Sequence, residues 1–153
     1  MSTPYESIYG SFLSKIKSYE IPLMDETEVK EYLHDYLVSA SSKFYACRQD
    51  LTDRDDEFEC FNCDLSDVEI EIISNYMTID YIDSNYVRDP KLLEVMLSSK
   101  DFNAFSNANL LDKITATQKR YLSENETLLT RYAWMGMKDS TLLNDATVDY
   151  LNR

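Results

Sequence analysis

Apolar side chains recur at every third or fourth position along most of this chain, and that spacing commits it to helices. Tyr5, Ile8, Tyr9, Phe12, Leu13 and Ile16 form the first stripe. They predict a helix over about residues 4 to 18, with Pro4 in the first turn, where a missing N–H costs nothing. Ile21-Pro22-Leu23 interrupts the pattern. Asp25 followed three residues later by Glu28 reads as a capping pair. It introduces Val29, Tyr32, Leu33, Tyr36, Leu37, Ala40, Phe44 and Cys47, a second helix of about 22 residues by the same period.

Ser66-Asp67-Val68-Glu69 has the form of a capping box and opens a third helix through Ile72, Ile73, Tyr76 and Met77 to about residue 83. Asp89-Pro90 starts a short fourth, with Leu92, Leu93, Met96 and Leu97 on its apolar side. KDFNAFSNAN reads as a polar loop in which Ser106 or Asn107 caps the next element. Leu110, Leu111, Ile114, Tyr121, Leu122, Leu128, Leu129 and Tyr132 mark a long fifth helix that Gly136 is placed to end. The expected fold is all-α: a bundle of about five helices over residues 1–136, with a long C-terminal helix and an extended arm over 137–153. The arm, MKDSTLLNDATVDYLNR, carries isolated apolar points at Leu142, Leu143, Val148, Tyr150 and Leu151. It is either a frayed terminus or a segment that orders in the pockets of a partner.

Composition narrows the function. A chain of 153 residues with 44% hydrophobic content fits one domain with a real core rather than a disordered chain. No apolar run reaches the roughly 20 residues of a membrane span, and MSTPYESIYG has neither the basic start nor the apolar core of a secretory leader. A net charge of −13 lacks the basic footprint of a protein that grips nucleic acid. With only Gly10 and Gly136 as glycines, neither a P-loop nor a dinucleotide-binding turn can be written. Three cysteines leave an odd thiol and point to a reducing compartment.

The stretch DLTDRDDEFECFNCDLSDVEIEI holds ten carboxylates in 23 residues, with Cys60 and Cys63 in its middle. A calcium loop counted from Asp53 would need Asp or Asn, Gly and Glu where Glu57, Phe58 and Asp64 stand. A closed zinc site needs four donors. Cys60 and Cys63 supply two, Cys47 could be a third and His34 a fourth, but Cys47 falls on an apolar stripe and His34 beside it. Acid–base catalysis needs two carboxyls in environments that separate their pKa values, and nothing in the spacing selects such a pair. The remaining reading is a solvated acidic face at Asp53, Asp55, Asp56, Glu57 and Glu59. Trp134 is either a core plug or an interface anchor, and Tyr86 and Tyr150 suit contact with another chain.

At DLTDRDDEFECFNCDLSDVEIEI, and again at KDFNAFSNANLL, the chain resembles the head–tail connector or adaptor proteins of the tailed-bacteriophage neck, over about residues 5 to 135. The resemblance implies a helical bundle without cofactor or catalytic site. About a dozen copies would form a ring beneath the portal, with the C-terminal arm docked on the portal or a neighbouring subunit. Such a ring extends the DNA channel and offers a platform to a stopper or tail-completion protein. It implies a virion protein made in the host bacterial cytoplasm, with no membrane partner. DNA would pass through without specific binding, and acidic residues such as Asp53, Asp55, Asp56, Glu57 and Glu59 could repel it from the channel wall. Cys60 and Cys63 depart from the adaptor pattern, so a metal shared with Cys47 stays open. The competing expectations are a tail-side completion or terminator protein, a small acidic regulator or DNA mimic that binds a host protein, and a carboxylate or zinc hydrolase.

Overall fold

The computed structural model describes residues 1–16, 21–87 and 104–138. The elements run β1 (Thr3–Pro4), α1 (Tyr5–Lys15), a 3-10 turn (Ile21–Leu23), α2 (Glu26–Lys43), β2 (Arg54–Asp55), β3 (Cys60–Phe61), α3 (Asp67–Ile82), a π-turn (Asp83–Val87) and α4 (Ala104–Lys138). The fold is mainly helical, as the periodicity implies. The core lies where α1, α2 and α3 meet: Tyr5, Ile8 and Phe12 from the first, Leu33, Leu37 and Ala40 from the second, Ile72, Ile73 and Met77 from the third. These are positions of the predicted stripes. Among the described residues, no helix is long and apolar enough to cross a membrane.

The caps explain two helix starts. Asp25 Oδ1 accepts the Glu28 N–H at 2.8 Å while Glu28 Oε2 accepts the Asp25 N–H at 3.1 Å, so both orphan donors are satisfied at the head of α2. At α3, Glu69 Oε2 accepts both the N–H and the hydroxyl of Ser66 at 2.8 Å. The π-turn follows from a side chain: Asn85 Nδ2 donates to the Tyr81 carbonyl at 3.0 Å and to the hydroxyls of Tyr32 and Tyr36 at 3.3 Å. An amide reaching back into the last turn in this way competes with the regular backbone ladder.

Several expectations need correction. The fold is not purely α, because the acidic stretch forms a hairpin whose strand β3 also pairs with β1. The sheet order is β1-β3-β2, antiparallel throughout, with Thr3 and Arg54 opposite Phe61 and Pro4 and Asp55 opposite Cys60. Two-residue strands carry too little alternation to stand out against helical periodicity. Pro4 is tolerated because β1 is an edge strand. The second helix ends at Lys43, where Phe44 leaves helical geometry (φ −85, ψ 55) and its N–H still bonds the Ala40 carbonyl. Cys47 therefore lies in the following turn rather than on a helix.

The last helix begins at Ala104, inside the stretch expected as a loop, since Ser and Asn cost only a few tenths of a kcal/mol each within a helix. It also runs through Gly136 to Lys138, 35 residues in all and about 52 Å at 1.5 Å per residue. Gly136 does not stop the helix. A Cβ there would stand 2.6 Å from Arg48 Nη2, so the missing methyl makes room for a guanidinium. The expected short helix after Asp89-Pro90 and the points Leu142, Leu143, Val148, Tyr150 and Leu151 lie outside the described residues.

Candidate functional site

The hairpin positions the acidic residues, and its geometry consumes most of them locally. Asp50 Oδ1 accepts the N–H and hydroxyl of Thr52 at 2.9 and 2.6 Å, and these bonds, the hydroxyl's first, hold its carboxyl below the ordinary range. Asp53 pairs across the hairpin with Asn62, accepting its side-chain amide at 2.8 Å and its backbone N–H, through the Asp53 carbonyl, at 3.0 Å. Asp55 Oδ1 accepts the N–H groups of Glu57 and Phe58 at 3.0 and 3.1 Å, an Asx turn that starts the reversal. Glu59 closes it in the left-handed region at φ 51. Glu57 and Phe58 stand at the exposed tip, Phe58 with 76% of its surface open.

Two of the acids tie the hairpin to the helices. Asp56 Oδ1 accepts the Tyr5 hydroxyl at 2.7 Å and lies 3.7 Å from Arg54 Nε and 3.8 Å from His34 Nε2. Burial first, then this bond to Asp56, pushes the Tyr5 phenol far up. Glu59 forms an ion pair with Lys30 of α2 at 2.9 Å, which raises the Lys30 pKa through the hydrogen bond and the charge. Between hairpin and helices lies a cavity of roughly 170 Å³ lined by Tyr5, Tyr9, Lys30, Glu31, His34, Asp56 and Glu59. Its histidine faces a carboxylate and a phenol rather than a serine or cysteine. A larger open hollow of roughly 370 Å³ between α2 and the end of α3 contains Asp35, Asp80 and Asp83. There Asp80 accepts from Ser39 at 2.7 Å and pairs with Lys43.

The three cysteines are free and half-buried. Among the described residues, no group of three or more His, Cys, Asp or Glu side chains is arranged to hold a metal, so Cys47, Cys60, Cys63 and His34 do not converge. Cys47 instead donates to Glu69 Oε1 at 3.7 Å. Burial, chiefly, pushes its thiol up to about 11 and raises that of Cys63 as well, away from the thiolate that a ligand or nucleophile requires.

The polar cluster that sequence reasoning missed surrounds Glu69, a carboxylate only 4% exposed. Tyr132 of α4 donates to Glu69 Oε1 at 2.6 Å and accepts the Arg48 N–H at 2.9 Å. The Arg48 guanidinium donates to the Tyr132 carbonyl at 2.7 Å and lies 4.4 Å from the ring centroid, and the Phe44 ring meets Tyr132 edge-on at 5.4 Å. Burial opposes the charge on Glu69, but the bonds from Tyr132 and Ser66 outweigh it and lower its pKa. One signal was available: the Glu of a capping box points back toward its own helix start, where a second donor can reach it. Trp134, two residues beyond Tyr132 and so about 200° around the helix, is 63% exposed and plugs no core. Tyr86 is half-buried against Tyr81, ring centroids 6.0 Å apart.

Comparison of the chain with protein-family models, with curated proteins and with solved structures finds no match.

Proposed function

We propose that this chain is a non-enzymatic structural protein of the head–tail adaptor kind, forming a ring beneath a phage portal and extending its DNA channel. In this reading a helical bundle of about five elements supplies the subunit faces. Residues 137–153, with Leu142, Leu143, Val148, Tyr150 and Leu151, bind the portal, and a stopper or tail-completion protein sits on the opposite side. The observation that carries it is the end of α4, where Trp134 and Met135 are 63% and 57% exposed immediately before that segment. Large side chains left open at this end of the helix suit an interface better than a monomer surface.

The negative charge supports the same reading, since a ring of −13 subunits lines a conduit that repels DNA. The test is co-sedimentation with the portal, with native mass measurement of the ring. Deleting residues 137–153 should abolish attachment, and Trp134→Ala should weaken it tenfold or more while unfolding shifts by under about 0.5 kcal/mol, as for an exposed site. Attachment unchanged by both alterations would sink the proposal, and selective capture by tail tube would favour a tail-side completion protein.

A further inference from the structure

The side of α4 that meets the core differs in kind from those of the other three helices. Among its described side chains only Asn125 and Tyr132 are buried, and both are polar at the tip. Gln118, Asn125 and Tyr132 stand seven residues apart, two turns each, and so share one face. Their partners run from the π-turn down α3 as α4 ascends. Gln118 Nε2 donates to Asp83 Oδ1 at 3.1 Å, Asn125 Oδ1 accepts from Asn75 Nδ2 at 3.2 Å, and Tyr132 donates to Glu69 at 2.6 Å.

The two helices are thus joined antiparallel along a polar seam, and Asn125 Nδ2 is buried there without a hydrogen-bond partner among the described residues. Tyr121, Leu128 and Leu129 add only half-buried contacts. The body of α1, α2 and α3 is built oppositely, on Ile8, Phe12, Leu37, Ile72, Ile73 and Met77, each at most 1% exposed. Apolar burial supplies most of a helix's tertiary stability. A polar seam supplies register, and an unsatisfied buried donor subtracts from stability.

We propose that α4 is a strap that opens as a unit while α1, α2 and α3 stay folded, with Tyr132 as its latch. Tyr132 joins α4 to Glu69, Arg48 and Phe44 at once. Release uncovers the buried Phe44 ring and the covered parts of Leu128 and Leu129. The inference concerns the isolated full chain and stands or falls independently of portal binding.

Native-state hydrogen exchange in low denaturant tests it. Amides of residues 111–136 should exchange through an opening at least tenfold more populated than the one that exposes amides of Ile72, Ile73 and Met77. Tyr132→Phe should speed the first set tenfold or more and leave the second unchanged. The paired substitution Asn75→Leu with Asn125→Leu, which removes the orphan donor, should slow the first set and guards against a latch variant that fails to fold. A single opening with one denaturant dependence for both sets in the unaltered chain would overturn the proposal, as would equal acceleration of all helices by Tyr132→Phe.

Discussion

At the scale of single residues, the two glycines make opposite demands. Gly10 sits on the exposed side of α1, and a Cβ built there meets nothing within 4 Å. Gly10→Ala should therefore raise stability by about 0.5–1 kcal/mol, the backbone cost of glycine in a helix. Gly136→Ala gains the same propensity but drives Arg48 off the Tyr132 carbonyl and ring. The two effects oppose, so denaturant unfolding should find Gly136→Ala neutral or harmful alone and stabilising in an Arg48→Ala background. Additive single and double variants would refute that coupling. Glu69 makes the pH argument. Its folded pKa lies below the ordinary value of 4.5, so its contribution is complete above that value and is lost as pH falls through the folded pKa. The stability gap between the natural chain and Glu69→Gln should be widest near neutrality and close progressively below about pH 4.5. Parallel profiles down to pH 3 would show that the charge on Glu69 does not contribute.

At the scale of elements, capping can be tested directly. Asp25 accepts the N–H of Glu28 in the first turn of α2, and Asp25→Ala should cost about 1 kcal/mol, with most of it restored by Asp25→Ser. Equal loss in both variants would mean that the cap is decorative. The same element shows how far the sequence could be read. Apolar stripes with caps at Asp25 and Ser66 placed α2 and α3 to within a few residues, because local chemistry fixes both the start and the buried face. The end of α2 was misplaced because Phe44 and Cys47 continue the period after the backbone has left the helix. The hairpin was invisible for a different reason. Its strands are two residues long, and β1 pairs with β3 across nearly 60 residues of chain, which no window detects. Gly136 misled because a helix-ending glycine and a helix–arginine contact present the same letter. The Glu69 cluster was legible only in part, since Arg48 and Tyr132 are brought to it by tertiary packing alone.

At the scale of the whole molecule, charge decides between the readings of function. Each copy carries −13, so copies that associate through bundle faces must work against mutual repulsion. Raising monovalent salt from 0.01 to 0.15 M shortens the screening length from about 30 to about 8 Å. A ring-forming adaptor should therefore self-associate more strongly as salt rises over this range, with the sedimentation profile moving toward the oligomer. An acidic regulator or DNA mimic makes the opposite demand. Its attraction is to a basic surface, and the same salt step should weaken its binding severalfold or more. The sign of the salt dependence thus separates the two without knowledge of the partner's identity. Oligomers that dissociate as salt rises would require pairing of opposite charges between copies. That would contradict an assembly held by apolar contacts against a common negative field.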